Sequence, residues 1–218
     1  MTEPDPPASA PASARQRLSD AATVSSYRLG ALALGNGCIF ALPHLGGWEW
    51  AGRWMTDQGY PLTVVVEALE PPELFQWFAD LRKELGMTVV PTGPTAGPAV
   101  VKALRENQIV CLLCDRDIER RGVDVEFFGE RTTLPAGPAT LGLRVGAPIL
   151  PVGCYFTPAY NGHYAVVRPP LSLARQGGLR DDVARITQNL AYELEFLIRR
   201  APEQWHLFQP NWPSDPGY

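Results

Sequence analysis

No apolar run in this chain approaches the roughly 20 residues that a helix needs to cross a bilayer, so no spanning segment is predicted. The opening stretch, 1–14, lacks the charged start and apolar middle of a secretory leader and is rich in Pro, Ala and Ser instead. Positive charge is also scarce. Lys and Arg number 19 against 23 Asp and Glu, a net charge of −4, which leaves no basic footprint for nucleic acid. There are four cysteines, at 38, 111, 114 and 154. Cys111 and Cys114 form a C-x-x-C, but no second Cys or His pair stands at a spacing that would complete a zinc site. In a strand these two side chains point to opposite faces. They are expected as buried small hydrophobes of a reducing compartment. No segment repeats itself, which excludes solenoid architectures.

What is present fits one α/β domain. A length of 218 residues, 45% of them hydrophobic, can bury a sizeable core. We divide the chain into a Pro/Ala/Ser-rich segment 1–25, expected to be disordered, a folded domain 26–213 and a tail 214–218. Apolar and β-branched runs at 38–42, 62–66, 87–90, 109–114 and 147–152 read as strands. Helical patterns lie between them at 48–58, 72–85, 99–107 and 139–145. The second of these carries a stripe of Leu74, Phe78, Leu81 and Leu85, which predicts its buried face. The Gly/Pro-rich stretch 92–98 is predicted as a loop. Segment 123–128 alternates polar and apolar residues and breaks at Gly129. Segment 164–167 is expected at a sheet edge, because Pro169-Pro170 ends it. A long helix over 181–200 buries Val183, Ile186, Leu190, Leu194 and Leu197. Strands alternating with helices predict a largely parallel central sheet flanked by helices.

The stretch Ala41-Leu42-Pro43-His44-Leu45-Gly46-Gly47-Trp48-Glu49-Trp50 carries the chemistry. It follows a strand and passes through a tight glycine turn, and it holds a histidine and a carboxylate five positions apart. Histidine is the side chain best poised to take a proton near neutral pH, and a carboxylate can hold its ring in one tautomer. A second acidic cluster, Asp115-Arg116-Asp117, follows the strand at 109–114. Reactive groups of open α/β sheets gather at strand ends, so the two clusters can meet. The Gly46-Gly47 turn and the region of Gly137 are candidate donors to an oxyanion. Trp48, Trp50 and Trp54 read first as packing residues, with the lining of an acyl groove as the alternative. Arg116, Arg120 and Arg121 read equally as a solvated face or as phosphate contacts.

Four blocks in this order resemble the bacterial membrane-lipid acyltransferases, which include the lipid A late acyltransferases and the phosphatidylinositol mannoside acyltransferases. They are PHLGGWEWAG at 43–52, CDRD at 114–117, VDVEFFGERTTLPAGPATLGLRVGAPILPV at 123–152 and WHLFQPNW at 205–212. The resemblance implies a glycerolipid-acyltransferase-like fold. It implies transfer of a fatty acyl group from acyl-CoA, a co-substrate, to a sugar hydroxyl of a membrane glycolipid, with no cofactor. His44 then matches the general base. Glu49 matches a second motif position, usually Asp, that fixes the loop or the ring. Asp115 stands where the mannoside enzymes carry a glutamate paired with the histidine, and is one methylene shorter. Glu67 matches an acidic residue beside the acceptor pocket, Arg82 an arginine near the site, and Arg116 is a candidate phosphate contact.

Two departures accompany the resemblance. The arginine that often follows the residue matching Glu67 is Ala68 here. Members carry an N-terminal region that holds them to the membrane, and Pro/Ala/Ser-rich sequence takes that place in this chain. Peripheral attachment to the cytoplasmic side of the inner membrane is therefore expected. Two other readings stand beside this one: an acyltransferase acting on another lipid or polyketide hydroxyl, and a catalytically silent lipid-binding homologue.

Overall fold

A computed structural model describes residues 30–218 apart from 119, 160 and 161. The expectations for 1–25 lie outside the described residues. The chain builds β1 (Cys38–Leu42), α1 (Trp48–Asp57), β2 (Leu62–Val66), α2 (Pro72–Glu84), β3 (Thr88–Pro91), α3 (Ala96–Arg105) and β4 (Ile109–Leu113). It continues with β5 (Val123–Phe127), β6 (Glu130–Leu134), α4 (Gly137–Val145), β7 (Ile149–Phe156), β8 (His163–Val167) and α5 (Leu179–Ile198). Six strands form one sheet in the order β3-β2-β4-β1-β7-β8, parallel except for β8, which runs antiparallel at the edge. Strands β5 and β6 make a separate hairpin.

Alternation along β1 divides the core, because successive side chains of a strand point to opposite faces. Ile39 and Ala41 face α3, α4, α5 and the hairpin, and Cys38, Phe40 and Leu42 face α1 and α2. The result is three layers, with the sheet between two helical ones. Pro151 lies within β7 although it has no N–H to give. It falls on the last rung shared with β1, and the rungs shared with β8 begin only at Val152, so the missing donor breaks neither ladder.

Four local expectations need correction. Helix α3 starts at Ala96, inside the stretch predicted as a loop. Gly97 and Pro98 occupy its first turn, where a proline removes no intrahelical hydrogen bond. The polar segment Glu130–Leu134 is a strand that alternation had not marked, and it pairs along all five residues with β5. Trp50 and Trp54 are exposed rather than packed. Helix α2 buries its predicted stripe only in part. Leu74 is exposed, Phe78 and Leu81 are half-buried, and Leu85 packs against the core as expected, whereas Phe75, Ala79 and Arg82 complete the inward face. The period was right and the phase was one residue out over these three, because this face delivers an arginine to a cavity rather than only apolar bulk to the core.

The tail residues are tied to the hairpin. Ser214 donates two hydrogen bonds to Glu130, and the Asp215 carboxylate accepts the backbone N–H groups of Asn211 and Trp212.

Candidate active site

Strands β1 and β4 are parallel neighbours in register, with Leu42 opposite Leu113. His44 lies two residues beyond Leu42 and Asp115 two residues beyond Leu113, so the register carries them out of the sheet side by side. One further rung, the Cys114 N–H donating to the Leu42 carbonyl at 2.8 Å, continues the pairing past the strand ends. Two bonds then join the residues directly. The His44 backbone N–H donates to Asp115 Oδ2 at 2.9 Å, and His44 Nδ1 lies 2.7 Å from Asp115 Oδ1. The methylene missing relative to a glutamate is no obstacle to contact.

The Asp115 side chain is 0% exposed and that of His44 is 29% exposed. Burial by itself pushes the Asp115 carboxyl up. The hydrogen bond and charge of His44 and the hydrogen bond from Trp205 outweigh that effect and hold it below its ordinary value. Asp115 is therefore ionised at neutral pH, and an ionised carboxylate only accepts hydrogen bonds. The proton of the neutral imidazole must then sit on Nδ1. Nε2 keeps its lone pair, and His44 lines a cavity of about 620 Å³. That volume lies within the usual range for small-molecule sites.

The cavity opens at the carboxyl ends of β1, β2 and β4, where ligands of open α/β sheets bind. Its walls include Val65, Leu69, Leu112 and Ile118, and its rim carries two ion pairs. Arg82 meets Glu49 at 3.1 Å and Arg116 meets Glu67 at 2.5 Å. The arginine side chains are 12% and 14% exposed, and in each the Nε is buried without a hydrogen-bond partner. Arg82 also lies over the Trp48 ring at 4.9 Å.

Glu49 is thus engaged with Arg82, and the carboxylate on the histidine ring is Asp115. Five residues of separation do not fold Glu49 back onto His44, because Glu49 enters the first turn of α1 and faces α2. Arg121 lines the cavity with Arg116, whereas Arg120 stacks on Tyr218 at 4.1 Å. Asp117 holds a turn: its carboxylate accepts the Gly122 N–H at 2.6 Å and the Thr133 hydroxyl at 2.8 Å.

Gly46 serves the architecture of the turn. Gly46 has φ +57°, and a Cβ there would run into the Cys154 carbonyl, so only glycine fits. Its N–H donates to the Gln204 carbonyl at 2.9 Å and is not available to a substrate. Gly137 lines the cavity in the first turn of α4, where a backbone N–H has no intrahelical acceptor.

The residue reading missed the floor beneath Asp115. The Trp205 indole N–H donates to Asp115 Oδ2 at 2.7 Å, and the Asn211 amide donates to the Asp115 carbonyl at 3.0 Å. The sequence signal was a polar-edged tryptophan and an asparagine in the last quoted block, 90 and 96 positions away from the aspartate.

A family model described as bacterial lipid A biosynthesis acyltransferase matches residues 27–214. Curated proteins named phosphatidylinositol mannoside acyltransferase are also similar. Those of Mycobacterium tuberculosis and Mycolicibacterium smegmatis are each 41% identical over 188 residues, which is 85% of this chain. The match covers 57% and 60% of those two proteins, so the chain spans less than two thirds of their length.

Proposed function

The chain belongs to the bacterial lipid A biosynthesis acyltransferase family, and from that premise we propose that it moves a fatty acyl group from acyl-CoA to a sugar hydroxyl of phosphatidylinositol mannoside. The observation that carries the reading is the 2.7 Å contact of His44 Nδ1 with a fully buried Asp115 at a strand-end cavity. A sugar hydroxyl is a poor nucleophile at neutral pH. His44 Nε2 takes its proton as the oxygen attacks the thioester carbonyl, an effect worth about 10²–10⁴-fold. Asp115 stabilises the imidazolium that forms and does not itself take the proton. As the tetrahedral intermediate collapses, the C–S bond breaks and the thiolate takes the proton from His44. The products are the acylated sugar and free CoA thiol.

Transfer is direct, without an acyl-enzyme. Cys114 is the thiol in the cavity wall, yet it is almost fully buried and its Sγ–H donates to the Leu112 carbonyl. Burial pushes its pKa up, and the neighbouring Asp115 charge adds to the effect, so the nucleophilic thiolate is suppressed. The N–H of Gly137, at the positive end of α4, is the proposed oxyanion donor. Glu67 accepts from sugar hydroxyls, and Arg82 and Arg116 hold phosphate oxygens through their guanidinium groups.

No helix among the described residues is long and apolar enough to cross a membrane. We propose peripheral contact with the cytoplasmic face of the inner membrane, which vesicle flotation at low and high salt tests. The activity is tested by free-thiol release from acyl-CoA, with mannosylated phosphatidylinositol and lysophospholipid offered in competition. Acceptor-dependent release favouring the mannoside is expected. Preference for the lysophospholipid, unchanged in Glu67→Gln, would overturn the acceptor.

A further inference from the structure

We infer that Trp205 is a positioning residue for the reaction, its indole N–H fixing the Asp115 carboxylate against His44; the inference rests on the base role proposed for that histidine. Asp115 has two oxygens with different duties. Oδ1 meets the ring at Nδ1. Oδ2 accepts the His44 backbone N–H at 2.9 Å and the Trp205 indole N–H at 2.7 Å. Two donors on Oδ2 hold the carboxylate plane and aim Oδ1 at the ring. With the indole donor gone, one bond remains on Oδ2 and the carboxylate can swing.

The segment bearing Trp205 also grips the other partner. On one side of Leu45, the Gly46 N–H donates to the Gln204 carbonyl at 2.9 Å. On the other, the His206 N–H donates to the His44 carbonyl at 2.8 Å. Leu45 forms a bridge with Trp205 itself. Backbone bonds therefore set the histidine loop, and a side chain from the same three residues sets the aspartate. The indole is held in turn by an aromatic cluster of Phe127, Phe128 and Trp212, with ring centroids 5.6–6.2 Å from its own. Hydrogen bonds to the charged form favour ionisation of a carboxyl, so Trp205 also helps to keep Asp115 charged. His44 acts on the Asp115 carboxylate through its hydrogen bond and charge, and Cys114, next to Asp115 in the chain, is raised by that charge.

Trp205→Phe removes the N–H and keeps an aromatic ring. The control is Trp212→Phe. It removes an indole in the same cluster whose N–H serves the Phe127 carbonyl rather than the carboxylate. Trp205→Phe is expected to lower kcat by about 10–100-fold, the worth of one hydrogen bond to a charged group, with KM for acyl-CoA at its wild-type value. Trp212→Phe is expected to lower thermal stability and to keep kcat within the same order of magnitude. Equal losses of kcat in both variants would mean a packing role only and would overturn the inference.

A carbon-13 titration of the Asp115 carboxyl makes the test independent of turnover. Its midpoint is expected to rise in Trp205→Phe and to stay in place in Trp212→Phe. A midpoint that does not rise would overturn the inference even where kcat falls. If acyl transfer proves absent from the wild type while the midpoint still moves, positioning stands and the functional reading fails. Should Trp205→Phe not fold, the wild-type indole proton serves. Its resonance is expected to shift with pH at the Asp115 midpoint, and a pH-independent resonance would overturn the inference.

Discussion

The two ends of the cavity are built on opposite plans. At one end the Asp115 carboxylate is fully buried, accepts three hydrogen bonds and is held from both sides by distant segments. At the other end two arginines pair with glutamates that are 30% and 38% exposed, and each arginine keeps a buried Nε with no partner. The first arrangement fills three of the roughly four lone-pair sites of the carboxylate and leaves it little freedom to move, which suits a group that must orient a base. The second has carboxylates that water can reach, which suits ion pairs whose arginines exchange partners when an anionic ligand arrives.

The comparison predicts a graded series. His44→Ala should abolish acyl transfer, a loss of about 10²–10⁴-fold; the chain should still fold, with a lower melting temperature because the buried Asp115 carboxylate loses its ring partner. Asp115→Asn should follow closely. Its amide oxygen can satisfy the two N–H donors on Oδ2 only by turning its NH₂ toward His44 Nδ1. That places the imidazole proton on Nε2, the wrong tautomer for a base. Nitrogen-15 shifts of the ring would report the change directly. At the binding end, Glu67→Gln should raise KM for the glycolipid by about ten- to a hundredfold, the worth of a charge-assisted hydrogen bond, while kcat moves little. A fall in kcat without a rise in KM would erase the distinction between the ends. Asp117→Asn should lower thermal stability and spare turnover, because its bonds serve the turn to Gly122 and Thr133.

Stability against acid should show the smallest effect. The folded state holds the Asp115 carboxyl below its ordinary value. Its contribution is therefore present above the unfolded pKa, about 3.9, and is lost as pH falls through the lower folded value. Melting temperatures measured below about pH 4 should drop more steeply for the wild type than for Asp115→Asn.

Much of this was legible in the chain. The apolar runs at β1 and β4 announce buried parallel strands, and a polar residue just beyond each marks a strand end. Once those strands are neighbours in register, His44 and Asp115 must meet. The partners of Glu49 and Glu67 were less legible, since each depends on the rotational phase of a helix or on a loop. Helix α2 shows the limit: the 3.6-residue period of Leu74, Phe78, Leu81 and Leu85 was real, but Arg82 shares the inward face with Phe75 and Ala79. Periodicity finds an apolar stripe and cannot say that a cation will be turned inward beside it. Trp205 was out of reach for a different reason. Its bond to Asp115 spans 90 positions and exists only because β5, β6 and α5 stack the C-terminal segment beneath the sheet edge.

The most direct test of the central claim is a double-mutant cycle on His44→Ala and Asp115→Asn, read as turnover of acyl-CoA with mannosylated phosphatidylinositol. Groups that act as one unit are strongly non-additive. The account predicts that the double variant loses no more activity than His44→Ala alone. Losses that multiply, each substitution keeping its full separate effect in the presence of the other, would contradict the pairing of His44 with Asp115 as a single catalytic device.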